Sequence, residues 1–458
     1  MASSSELLAP RAIGLSRALQ TMRNAPGLQW LGTPKTYAIA APIVSLLSAG
    51  TTLLAPRLLD PEAFGAFALL TTLFIYSARS DLGLTQLADR DLAARGGAIA
   101  SRGVEILQAR WTVGLVLLAI ALPVAIFIAY QNGRLSPVDA ALALVGGTAA
   151  MIANGPATVY RAASRLWEFT VAALVLQAGM TAPRLAGLVL AGTTGCFATL
   201  AVWYGLFALL FGGLLSRGAK RPVHILTMLH AAIPLFAFNG LWLVYISANR
   251  WISASLSPAD QFGLFAFGAN LAFVGIGLFA SVAEVRYPKL LSDLAKASSE
   301  DKSISTEREM LRVGLVLAAG IAVAVLIAPR VIPFVFPRFE AATPTTLTLA
   351  VSCVPLVVVA WFIPIVIALS SRPWVDAIRI FGPASAILIC AMIAGNHIAG
   401  IMGQGWACTI GALALLAGLA ATMFRLDLLR GMVAIRVFSV QALLVMALSF
   451  LVVASSQH

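Results

Sequence analysis

Seven ionisable side chains stand in or beside long apolar runs, where a charge is costly. Arg184 lies in Thr181-Ala-Pro-Arg-Leu-Ala-Gly187, with many apolar residues on both sides. An ionisable group deep in an apolar span is a functional hypothesis by default. A guanidinium is a planar fork that pairs bidentately with phosphate oxygens, so Arg184 leads as a residue that grips an anion. The alternative is that it snorkels to a membrane surface. Arg57 and Arg250 fall near the ends of two other runs. They either contact and gate a bound group, or form plain turn salt bridges with Asp60 and Asp260. Arg79 and Asp81 end another run; residues two apart on a helix do not face each other, so a gate and an interfacial anchor both stay open. Glu284 and Arg286 pose the same alternative, and a desolvated Glu284 is also a candidate carrier of a coupling proton. Asn239, Asn249, Asn270 and Gln177 either line a polar cavity or glue helices together.

Other chemistries lack their residues. Cys196, Cys353, Cys390 and Cys408 each stand alone in apolar sequence, without disulfide or metal spacing. His224, His230, His397 and His458 form no ligand set. There is no Walker A sequence, no HExxH and no glycine-rich phosphate loop after a strand. ATP-driven pumping by this chain alone and membrane-embedded hydrolysis are therefore not expected. Neither is an enzyme activity, a metal or a cofactor.

The elements that must carry these residues are membrane helices. Of 458 residues, 60% are hydrophobic and only 11% charged, against roughly 25% charged in a soluble domain. Apolar runs occupy 37–59, 63–83, 111–130, 137–158, 169–190, 195–216, 226–254, 260–282, 311–332, 343–369, 376–394, 400–423 and 434–454. Runs of about 18 or more read as spans, and backbone in lipid must satisfy itself, so these are helices. With the N-terminus cytoplasmic, all but six of the 31 basic residues fall on the inner side. The exceptions are Arg57, Arg134, Arg184, Arg250, Arg330 and Arg338. This is the positive-inside pattern, so the net charge of +12 is an inner rim and not a nucleic-acid patch.

Residues 1–36 read as a basic cytoplasmic tail, partly amphipathic and lying on the membrane face; a transit peptide is the lesser reading. The longest loops, 84–110 and 283–310, are both expected inside, and the second, rich in charge and serine, reads as a solvated linker. Prolines at 42, 123, 156, 183, 234, 355, 364 and 383 fall in or near spans. They suit the fixed bends of a transporter, and Pro183 is expected to loosen the backbone ladder beside Arg184.

An internal repeat is also visible. Helix 1 leads into Leu58-Leu-Asp-Pro-Glu-Ala-Phe-Gly65-Ala-Phe-Ala, and helix 7 into Leu256-Ser-Pro-Ala-Asp-Gln-Phe-Gly263-Leu-Phe-Ala. Proline and an acid suit a helix restart, and glycine lets two helices approach. Two such turns six helices apart, both outside, suggest homologous six-helix halves in parallel orientation.

The stretch Arg57-Leu-Leu-Asp-Pro-Glu-Ala-Phe-Gly65 resembles the first outer turn of polysaccharide (Wzx-type) flippases. Asp81-Leu-Gly-Leu84, Gln86 and Asp89-Arg90-Asp91 resemble the end of their second helix. Leu264-Phe-Ala-Phe267 and Tyr287-Pro-Lys-Leu-Leu-Ser292 resemble the start and cytoplasmic end of their eighth. The likeness covers helices 1–2 and 7–8. It points to the multidrug/oligosaccharidyl-lipid/polysaccharide exporter superfamily more sharply than to a branch of it. Two departures stand out: Asn249 where an Asp often precedes the helix-7 arginine, and an odd helix count.

The resemblance implies an all-α polytopic membrane protein with two six-helix bundles around a central cavity, MATE-like, plus one or two extra C-terminal helices. Its parts would be the tail 1–36, bundles 37–222 and 223–424, and an extra helix in 425–458. It further implies a multi-pass protein of the bacterial inner membrane that flips a lipid-linked oligosaccharide, undecaprenyl-diphosphate-linked, by alternating access. The product would be exopolysaccharide, capsule or O-antigen. Substrate contact falls to Arg184, Arg57 and Arg250, and gating or coupling to Arg79, Asp81 and Glu284. The partners implied are the lipid-linked oligosaccharide, membrane lipids, and the polymerase and glycosyltransferases of the same pathway. A lipid II flippase and a cation-coupled multidrug exporter are alternatives within the superfamily. A membrane-embedded glycosyltransferase or polymerase is the alternative outside it.

Overall fold

The computed structural model describes residues 34–95, 99–163, 165–218 and 224–455. Most of the tail expected over 1–36, with Arg11, Arg17 and Arg23, lies outside the described residues, as do Lys220, Arg221 and His458.

Among the described residues the chain is helical throughout. The α-helices are α1 (Pro34–Leu58), α2 (Pro61–Arg79), α3 (Leu84–Arg95), α4 (Ile99–Asn132), α5 (Pro137–Ala153), α6 (Gly155–Ala162) and α7 (Leu166–Ala173). They continue as α8 (Thr181–Gly218), α9 (Ile225–Leu256), α10 (Ala259–Lys296), α11 (Ser299–Val335), α12 (Thr343–Leu369), α13 (Pro373–Arg425) and α14 (Gly431–Ser455). Among the described residues ten helical stretches are long and apolar enough to cross a membrane. Two of these are double. Inside α8, Ala191 (φ −141°, ψ 26°) and Gly192 (φ 59°, ψ −145°) leave helical geometry. Inside α13, Ala399 (−147°, 26°) and Gly400 (56°, −139°) do the same. A Cβ on Gly187 would lie 2.4 Å from the Gly195 carbonyl oxygen, and one on Gly395 2.4 Å from that of Gly403. Residues eight apart on a straight helix are about 12 Å apart. The chain therefore doubles back at each point, and the ten stretches make twelve crossings. The thirteen apolar runs of the sequence map onto α1 and these twelve.

The two reversals share one pattern, Gly-x3-Ala-Gly-x2-Gly, at 187–195 and 395–403. Each part has a cause. The second glycine takes a positive φ, which a side chain resists. The outer glycines let the two legs touch backbone to backbone. Sequence reasoning passed over this second internal repeat, though the pattern was there to be read.

The long segment 283–310 is helical and not an irregular linker. α10 and α11 run on through it, and only Ala297 and Ser298 interrupt them. Ser298 caps α11, its side chain accepting from the Asp301 N–H. Serine followed three residues later by an acid is a helix-start signal, and a charged sequence stays helical outside lipid as readily as an apolar one does within. The other long loop contains α3 and the start of α4.

Two compact units emerge from the contacts: Met1–Thr51 with Leu70–Ala237, and Thr52–Leu69 with Phe238–His458. In the first, α5 packs against α4 and α8. Its Gly147 sits so close to α2 that a Cβ would meet the Phe74 carbonyl oxygen at 2.3 Å. In the second, α12 is the buried centre, contacting α10, α11, α13 and α14. Here the two repeated turns meet each other. A Cβ on Gly263 would lie 1.7 Å from the Pro61 carbonyl oxygen, and one on Gly65 2.9 Å from the Phe262 ring. Phe64, Phe67, Phe267, Phe336 and Phe339 pack ring against ring, mostly edge-on or tilted, with Phe267 stacked on Phe339.

α14, the extra helix, is fastened along one stripe of α11. Arg430 pairs with Glu300 at 3.3 Å and Arg436 with Glu307 at 3.2 Å. Deeper in, fully buried Gln441 donates to the Met310 carbonyl at 3.0 Å, against Gly314. Spacing of three and four residues keeps 300, 303, 307, 310 and 314 on one face.

Candidate functional site

The helix carrying Arg184 is broken just before it. α7 runs into a π-turn, Leu174–Ala178, followed by Gly179 and Met180, and α8 starts at Thr181. Pro183 thus sits in a first turn, where its missing N–H costs nothing; it does not loosen a continuous ladder. The Thr181 hydroxyl donates to the Leu47 carbonyl at 2.8 Å and ties this restart to α1. Arg184 is 6% exposed, with Nε donating to Cys196 Sγ at 3.4 Å. Tyr204 lies within electrostatic reach. Seven residues separate Arg184 from the reversal at Ala191, which puts it about 10 Å below that end of the helix.

Arg57 and Arg250 belong to the other unit. Arg57 is exposed, and its Nε donates to the Val335 carbonyl at 3.2 Å, at the C-terminus of α11. A cation there meets the negative end of the helix dipole. Asp60 instead caps α2, accepting from the Ala63 N–H at 2.8 Å. Arg250 is 2% exposed; its Nη2 donates to Asn270 Oδ1 at 2.7 Å, and its guanidinium sits 5.1 Å from the centre of the Phe273 ring. Asn270 and Asn249 both join helices, the latter by donating to Cys408 Sγ at 3.8 Å. Gln404, which sequence reasoning missed, is fully buried and donates to Ser257 Oγ (2.9 Å) and Asn396 Oδ1 (2.7 Å).

Arg79 and Asp81 are near in sequence but differently employed. Arg79 is exposed at the end of α2. Asp81 is buried and caps α3, accepting from the Gly83 N–H (3.2 Å), the Thr85 N–H (2.9 Å) and the Thr85 hydroxyl. The intervening turn needs Leu82 at φ 53° and Gly83 at φ 90°. A second residue missed from sequence, Arg110, lies 3.5 Å from Asp81. Glu284 lies within α10, but its side chain is outside the described ones. Its neighbour Arg286 forms a bidentate pair with Glu309, at 2.5 and 3.1 Å. That bond holds the Arg286 guanidinium above its ordinary pKa.

The buried charges divide by sign. Among the described residues the buried acids are Asp81, Glu309 and Asp376, and each has an arginine beside it: Arg110, Arg286 and Arg379. The contacts of the buried arginines Arg184 and Arg250 include Cys196 in one case and Asn270 and Phe273 in the other. Among the described residues no three His, Cys, Asp or Glu side chains gather as a metal site.

No family model and no curated protein matches this chain. Solved structures do. A mutant of the Vibrio cholerae MATE transporter VcmN is 14% identical and superposes with a TM-score of 0.61 over 87% of this chain and 98% of that one. The lipid II flippase MurJ, in an inward closed conformation, is 13% identical, with a TM-score of 0.58 over 92% and 98%. An outward-facing multidrug resistance MATE family transporter of the MOP superfamily is 14% identical, with a TM-score of 0.54 over 88% and 98%. The chain is therefore an all-α, multi-pass membrane protein with the fold of these transporters.

Proposed function

We propose that this chain flips a lipid-linked oligosaccharide, joined to its polyprenyl carrier through a diphosphate, across the bacterial inner membrane by alternating access. Residues 37–222 and 223–424 are the two halves that move, with the N-terminus inside. The observation that carries this reading is Arg184: a guanidinium enclosed by protein within an apolar span, in the first turn after a helix break. Broken membrane helices are a recurrent way of presenting a helix N-terminus to an anionic group, and a guanidinium adds a bidentate fork for phosphate. Arg57 and Arg250 then act near the outer end, and Arg79, Asp81 and Glu284 at the inner gate.

The sign of the buried charges favours an anionic cargo. An exporter of cationic drugs needs buried carboxylates free to meet the drug, and among the described residues the three buried acids each have an arginine partner. The fold shared with a lipid II flippase favours a lipid-linked cargo.

Deletion of the gene should accumulate cytoplasm-facing lipid-linked oligosaccharide, which the intact gene clears and Arg184→Ala does not. Absence of any accumulated lipid-linked intermediate would sink the flippase reading. Full clearance by Arg184→Ala at equal protein level would remove Arg184 from it. Rescue of cells depleted of their lipid II flippase would reassign the cargo to lipid II.

A further inference from the structure

Arg110 holds a charge that its neighbours do not fully engage. It enters the membrane on α4 and is 6% exposed. Its Nη1 donates to the hydroxyls of Thr85 and Thr158, both at 3.2 Å. Asp81 is the nearest acid, but its oxygens already serve the N-terminus of α3, and 3.5 Å from Nη1 is an ion pair without a good hydrogen bond. Among the described residues no hydrogen bond reaches Nε or Nη2, and Nε is fully buried. Those two nitrogens form one edge of the guanidinium, and side-on binding of an oxyanion uses that edge. The surrounding charge is positive. Arg79 and Arg161 lie within electrostatic reach; Arg161 is offset by Asp89 at 2.8 Å, which leaves Arg79 and Arg110 against Asp81.

We propose that the Nε/Nη2 edge of Arg110, held in place by the bonds from Nη1 to Thr85 and Thr158, binds a phosphate oxyanion in the first unit. Removing two charges from water is costly unless every donor is met, and an isolated buried guanidinium edge is worse. A phosphate meets both nitrogens at once. Resting on the flippase reading, this is where the diphosphate of the cargo is first held, before Arg184. The same chemistry also fits the headgroup of an anionic phospholipid.

The test uses the full-length protein in nanodiscs of neutral phosphatidylcholine, titrated with inorganic pyrophosphate and followed by thermal shift. Pyrophosphate should stabilise the wild type, and Arg110→Gln should weaken its apparent affinity by about tenfold or more, one good charge-assisted bond. Arg110→Lys keeps the charge, guards against a misfolded Gln variant, and should weaken it less. Arg436→Gln, at an exposed pair on α14, should bind pyrophosphate as the wild type does, so that the loss belongs to Arg110 and not to the removal of any one positive charge. Stabilisation by phosphatidylglycerol discs, lost in both Arg110 variants and with no response to pyrophosphate, identifies a lipid headgroup as the source. Wild-type affinity in both variants, or no response to either anion, overturns the site while the Arg184 flipping assay still stands.

Discussion

The reversal inside α13 predicts an unusually sharp response to one methyl group. In Gly403→Ala the new Cβ would lie 2.0 Å from the Gly395 carbonyl oxygen and 2.6 Å from its carbon. Both are backbone atoms, so no side chain can rotate away. The legs must part by about 1.4 Å before the contact becomes ordinary, and overpacking of this kind costs about 1–3 kcal/mol. The control is Gly205→Ala in α8, where a Cβ meets nothing within 4 Å; exchanging an open helical glycine for alanine stabilises by up to about 1 kcal/mol. Thermal unfolding of the two variants in one detergent should therefore move in opposite directions. A third variant, Gly400→Ala, isolates the turn itself. It has open space but a φ of 56°, so it should lose about 1–3 kcal/mol through backbone strain alone. If Gly403→Ala unfolds where Gly205→Ala does, the legs are not in contact. α13 would then be one continuous helix, and the count of twelve crossings would fail with it.

Three further outcomes follow from buried polar contacts. Asp81→Ala removes the cap of α3 and the acid beside Arg110, and should cost about 3–5 kcal/mol, seen as low yield of folded protein; Asp81→Asn keeps the cap geometry and should recover part of it. Arg250→Met loses the Asn270 bond and the Phe273 face, and should lower stability by about 2 kcal/mol in thermal unfolding. Gln441→Ala should loosen α14 from α11 by about 1 kcal/mol and speed proteolysis after Arg425, whereas unchanged cleavage would mean that the bond to Met310 holds nothing.

Hydropathy, the basic rim and the Pro-acid-Phe-Gly turns are local properties of the chain, so spans and restarts were legible before any fold was known. A run such as 343–369 has one stable form in lipid, because its backbone can satisfy itself only as a helix. The same logic misjudged 283–310. Outside lipid, charge and serine do not distinguish a loop from a helix, and the capping pair Ser298 and Asp301 carried the information instead. Arg184, Arg250 and Asp81 could be singled out because a charge beside apolar sequence is visible one residue at a time. What each touches could not. Arg110 finds Thr158 across 48 positions, Gln404 finds Ser257 across 147, and Gln441 finds Met310 across 131. Composition sets the cost of burying each polar group, but only the packing of distant helices decides which partner offsets it.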